Sequence, residues 1–215
     1  MMDHPSESKH ANPKIREEFN KAFALLEKDD MNSDALAILK RNISEECTSS
    51  MVLLGLIYSN GNETEREESI ELFHKAAELG DNSGMRNIGY CYALGINVEK
   101  NKENGAEWYT RAAEAGNAKA MCNIGVMYSY GNGVPVDLNK AFEWFTKSSQ
   151  GGYPRGMTNL GEFYLYGKGT EKNVDVAEEW FKKSGSPRSL YRLAEVYSRE
   201  RNDKDTGMKY LRESA

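Results

Sequence analysis

A fivefold internal repeat constrains this chain more than any other feature. Gly55, Gly89, Gly125, Gly161 and Ala194 fall 34, 36, 36 and 33 residues apart, and further columns keep step with them. Three residues after each mark stands a tyrosine: Tyr58, Tyr92, Tyr128, Tyr164 and Tyr197. Four before it are Met51, Met85, Met121, Met157 and Leu190; one before it are Leu54, Ile88, Ile124, Leu160 and Leu193. Small residues line a further column, Ser50, Gly84, Ala120, Gly156 and Ser189, which would let neighbouring elements approach closely. A later column reads Leu72, Trp108, Trp144, Trp180 and Tyr210. Internal periods of this length mark stacked supersecondary units, none of which can bury its apolar face alone.

Each unit reads as two short amphipathic helices. In 118–153, Met121, Ile124, Met127 and Tyr128 recur at helical spacing on the first, and Ala141, Trp144 and Phe145 on the second. Gly131-Asn132-Gly133 ends the first helix, Pro135 forbids its continuation, and Asp137 is placed to cap the second. Asn101, Asn173 and Asp203 stand at the equivalent position of other units. The expected fold is therefore all-α, a solenoid of helix-turn-helix repeats at about 49–82, 83–117, 118–153, 154–186 and 187–215. Residues 1–12, polar and proline-bearing, read as a disordered tail. Residues 13–48 read as a helical pair, either a cap or a degenerate repeat.

The segments NIGVMYSYGNGVPVDLNKAFEWFTKSSQGG and NLGEFYLYGKGTEKNVDVAEEWFKKS resemble Sel1-like repeats, relatives of tetratricopeptide repeats with a longer inter-helix turn. The resemblance covers roughly Ser49 to Ala215 and weakens at both ends. The first copy has Leu72 for tryptophan and lacks the glycine-valine turn; the last has a shortened turn and Ala194 for glycine. The resemblance implies a right-handed α-α superhelix whose first helices line the concave side, and a protein-binding scaffold.

Bulk properties narrow the function classes. A net charge of −5 argues against nucleic acid as a partner, since phosphate binding needs a basic face. The N-terminus lacks a signal-peptide core, and the longest apolar run, Met51 to Tyr58, cannot span a bilayer. Neither a membrane partner nor a cofactor is expected. Cys47, Cys91 and Cys122 lack disulfide spacing, which suits reduced thiols in the cytoplasm. His4, His10 and His74 are the only histidines, and none stands beside a candidate nucleophile or metal cluster. No catalytic or metal site is expected.

Positions on the first helices that packing does not use carry the functional signal. Six before the mark stand Ser49, Ser83, Lys119, Arg155 and Arg188; two before it, Leu53, Asn87, Asn123, Asn159 and Arg192. These positions lie one turn apart on one helix face. The expected concave floor is neutral or apolar at its N-terminal end, with Val52, Leu53 and Leu56, and cationic over the last three repeats. Tyr130 and Tyr166, five after the mark, either wall the groove or pack on the following turn.

Two readings of these rows remain. In one, Lys119, Asn123, Arg155, Asn159, Arg188 and Arg192 hold a carboxylate, resembling the carboxylate clamp of certain tetratricopeptide co-chaperones. In the other, Glu162 and Glu195 neutralise Arg192 or Arg155, and the asparagines bond an adjacent turn or the backbone. The expected function is a non-enzymatic adaptor for a partner protein or acidic peptide. One alternative is an inhibitor or immunity-type protein capping a toxin or enzyme; another is a β-lactam-binding hydrolase, as reported for cysteine-paired relatives. The terminal Tyr210 and Leu211 suggest a homodimer through the last repeat.

Overall fold

The computed structural model describes residues 10–29 and 32–214, so most of the expected disordered tail lies outside the described residues. Asn12, at its end, accepts a hydrogen bond from Lys14 N and caps the first helix. Helix α1 (Pro13–Leu26) pairs with α2 (Ser33–Ser44), and both precede the repeats. Five hairpins follow: α3 (Thr48–Tyr58) with α4 (Glu63–Glu78), α5 (Asn82–Leu94) with α6 (Lys102–Glu114), α7 (Ala118–Tyr130) with α8 (Leu138–Gln150), α9 (Pro154–Tyr166) with α10 (Val174–Ser184), and α11 (Pro187–Glu195) with α12 (Lys204–Glu213). Helix α11 runs on into a π-helical turn, Val196–Glu200. Among the described residues there is no strand.

The chain divides after Ala115 into two compact units. In the first, α1 to α6 share one core around Phe19, Leu39, Leu54, Phe73 and Ile88. In the second, Phe145, Leu160 and Phe163 form one cluster and Phe181, Leu193 and Val196 another.

The repeat columns explain the packing. The residues one before the mark, from Leu54 to Leu193, are all buried. The mark itself seats an aromatic ring from the second helix of the same hairpin. A Cβ at Gly55, Gly89, Gly125 or Gly161 would lie 2.6–2.8 Å from Phe73, Tyr109, Phe145 or Phe181. A side chain at any of these four glycines would force the ring to move. The small column does the equivalent between hairpins: a Cβ on Gly84 would meet Ala76, and one on Gly156 would meet Ser148. Burying each such ring contributes about 1.5–3 kcal/mol.

On the second helices the aromatic residue after the Trp column lies deeper than the tryptophan itself. Tyr109, Phe145 and Phe181 are buried, whereas Trp108, Trp144 and Trp180 are half-buried with a cation three residues on. Arg111, Lys147 and Lys183 lie 4.8, 4.4 and 4.8 Å from those ring centroids. A tryptophan at the core's edge can keep one face for a cation, which a fully enclosed ring cannot.

Helix ends follow the expected chemistry. Asn101, Asp137, Asn173 and Asp203 each accept a backbone N–H at the start of the next helix. Gly95, Gly131 and Gly167 end α5, α7 and α9 in the left-handed conformation that glycine adopts without strain.

Candidate partner-binding face

The cationic rows lie on three successive first helices of the second unit. On an α-helix, positions spaced by four, three and four residues share one face. On α7 that stripe is Lys119, Asn123, Val126 and Tyr130; on α9, Arg155, Asn159, Glu162 and Tyr166; on α11 and its extension, Arg188, Arg192, Glu195 and Arg199. The stripes hold five cations against two carboxylates, a local surplus in a chain of net charge −5.

Hydrogen bonding sorts these residues. Arg188 reaches Glu162 through Nε and Nη2 at 3.1 and 2.8 Å, and Arg192 Nε reaches the same carboxylate at 2.8 Å. Arg192 Nη1 also donates to Glu195 at 2.5 Å, and Arg199 lies 3.6 Å from Glu195. Burial of Arg192 works against its charge, but the bonds to Glu195 and Glu162 outweigh it and hold the guanidinium firmly protonated. Among the described residues, then, α11's arginines are already engaged by internal carboxylates.

The asparagines split. Asn159 is 6% exposed, with its Nδ2 3.3 Å from Cys122 Sγ. Asn87, in the first unit, is fully buried with its Oδ1 3.4 Å from Arg86 Nη1. Only Asn123 of this column is half-exposed. Among the described residues its side chain makes no hydrogen bond. Lys119 is half-buried beside it. Arg155 is exposed and forms no ion pair among the described residues. Tyr130 and Tyr166 are 71% and 50% exposed, so they line surface rather than pack under the following turn.

What this face can do follows from those partners. Lys119, Asn123 and Arg155 offer donors on adjacent helices, and Tyr130 and Tyr166 add two aromatic surfaces about three turns away along the same helices. Glu162, shared by two arginines, is a carboxylate already held in the way an incoming one would be. Arg199, five after the mark like Tyr130 and Tyr166, extends the cationic row on the π-helical turn.

The first unit differs at the same positions. Val52 is fully buried and Leu53 almost so, in the core rather than on an open floor, because α1 and α2 pack beside α3. His74 is half-buried edge-on against Trp108, 5.4 Å between centroids, and desolvation lowers its pKa. Cys91 is buried, which pushes its thiol up to about 12 and leaves it inert at neutral pH. None of the three cysteines is in a disulfide. No described helix is long and apolar enough to cross a membrane.

Comparison with known proteins agrees with this architecture. The Sel1 repeat model matches residues 48–81, 82–117, 118–153, 154–186 and 187–215. A Sel1 repeat protein from Oxalobacter formigenes superposes with a TM-score of 0.82 at 26% identity, over 95% of this chain and 90% of that one. The protective antigen c5321 of uropathogenic Escherichia coli, with an SLR fold, gives 0.78 at 25% identity, over 93% of this chain but 45% of that one. The immunity protein Pa5087 from Pseudomonas aeruginosa gives 0.61 at 18% identity, over 96% of this chain and 84% of that one, and shares the fold alone. No curated protein matches the chain.

Proposed function

The chain belongs to the Sel1 repeat family, and from that premise we propose that it is a non-enzymatic scaffold binding an acidic segment or C-terminal carboxylate of a partner protein. The binding surface is the first-helix face of the second unit, from Lys119 to Arg199. One observation carries this reading. Arg155 and Asn123 stand on adjacent first helices with no intramolecular partner among the described residues, within a local surplus of positive charge.

The physical case is differential. Charge-assisted hydrogen bonds contribute about 1.5–3 kcal/mol each, so two or three of them define a site. Arg188 and Arg192 contribute less than their number suggests, since a ligand carboxylate must compete with Glu162 for them. On this reading the buried Asn87 and Asn159 serve the structure, and Asn123 and Arg155 are the principal ligand donors, with Lys119 beside them and Tyr130 and Tyr166 flanking. Buried thiols outside any disulfide suit a reducing compartment, and the cytoplasm is the proposed location.

An array of immobilised acidic peptides, with free and amidated C-termini, tests the reading. Arg155→Glu should weaken the bound peptides by about ten-fold or more and blunt the salt dependence of binding, with the thermal midpoint unchanged. Unchanged affinity would overturn the acidic-ligand reading and leave the rows as a structural lining.

A further inference from the structure

An apolar socket lies in the first unit, where the first repeat's turn is cut short. The connection from α3 to α4 spans residues 59–62, whereas those of the next three hairpins span 95–101, 131–137 and 167–173. The longer turn of the second hairpin brings Ile96 and Val98 onto the core. The short one, Ser59-Asn60-Gly61-Asn62, brings no apolar side chain. Beside it lies a cavity of about 520 Å³. Phe23 and Leu26 of α1 and Leu53, Leu56 and Ile57 of α3 form its apolar lining.

This volume would hold two or three large apolar side chains, and the half-exposed Phe23, Leu56 and Ile57 keep it open. Among the described residues its charged lining is acidic: Glu27 at the end of α1 and Glu65 at the start of α4. Glu65 also completes a capping box with Asn62, which fixes its position. Lys40, 5.7 Å from the Tyr58 ring centroid, offsets one carboxylate, and Glu68, which also acts on Lys40, restores the acidic sign. An apolar floor under a negative rim selects an apolar side chain with a cation beside it.

We propose that this socket takes a partner segment bearing one or two large apolar side chains next to lysine or arginine. It is the opposite charge preference to the face on α7, α9 and α11. The test uses the full chain and fluorescein-labelled decapeptides with a central Leu-Phe flanked by lysines, the same pair flanked by glutamates, and Ser-Ser flanked by lysines, read by fluorescence polarisation. The lysine-flanked Leu-Phe peptide should bind about ten-fold more tightly than either control. Leu56→Arg should abolish that binding. Glu27→Lys, an exposed substitution that leaves the core untouched, should weaken it about three-fold or more with no change in thermal midpoint. Equal binding of the three peptides, or binding indifferent to both substitutions, would overturn the proposal. A dimer seen by sedimentation and dissolved by Leu56→Arg would overturn it too, assigning the socket to a second copy.

Discussion

The two units are built on the same columns and differ where those columns impose nothing. In both, a glycine receives an aromatic ring and an aliphatic residue one place earlier is buried. On α3 and the turn after it, the stripe that carries Lys119, Asn123 and Tyr130 on α7 reads Ser49, Leu53, Leu56 and Asn60, and the last three line an apolar socket. On α9 and α11 it carries a web of ion pairs centred on Glu162. Packing positions repeat because each hairpin must bury the same face; the stripe positions are left to chemistry. The comparison teaches that the packing columns leave four positions per first helix whose residue types differ from repeat to repeat.

The largest effect tests whether the seats are equivalent. Phe73→Ala and Phe145→Ala should each cost about 3–5 kcal/mol by denaturant unfolding, because both rings rest on a register glycine and neither cavity can collapse. Widely different costs would break the claim that shared columns do the same work in both units.

A smaller effect sharpens the contrast between the stripes. Glu162→Gln should release Arg188 and the Nε of Arg192, whose Nη1 stays with Glu195, raising affinity for an acidic peptide several-fold in a titration at low salt. The same substitution should leave the lysine-flanked Leu-Phe peptide unaffected. Loss of acidic-peptide affinity would mean the shared carboxylate positions the arginines rather than competing for them.

Acid stability separates the units next. Burial of Glu178 opposes its ionisation, yet hydrogen bonds from Lys182 and Tyr197 outweigh that and hold its pKa below the ordinary 4.5. A depressed carboxylate contributes stability that is present above 4.5 and lost as pH falls through the folded value. Thermal midpoints should therefore drop below pH 4.5, and Glu178→Gln should flatten that part of the profile.

The smallest effect belongs to His74 in the first unit. Its folded pKa lies below the ordinary 6.5, so the unfolded chain takes the proton first and stability falls as pH drops through 6.5. His74→Phe keeps a ring against Trp108 and should remove this slope between pH 7.5 and 5.5, a window chosen to bracket the ordinary value.

Much of the architecture is legible in the sequence, because the features that set it are local or periodic. The marks at 55, 89, 125 and 161, the four capping residues and the hairpin bounds follow from spacing and turn chemistry alone. The face of the second unit was legible as a row of residue types, but not as a set of partners. Whether Glu162 meets Arg188 depends on the distance between neighbouring helices, which no periodicity states. Asn123 and Asn159 occupy the same column, yet one is half-exposed and the other turns to Cys122. The socket was hidden for a different reason. Its walls come from α1 and α3, far apart in sequence, and its only local signs are a shorter turn and a shorter first period.

The ring-on-glycine seat has a consequence for how such chains change over time. Each seat is completed inside one hairpin, since Gly125 receives Phe145 and Gly161 receives Phe181 from the same unit. Duplicating or deleting a whole hairpin therefore leaves every remaining seat intact, while a single methyl group at a seat disturbs its own. A chain built this way can gain or lose a whole module without disturbing the joints of those that remain.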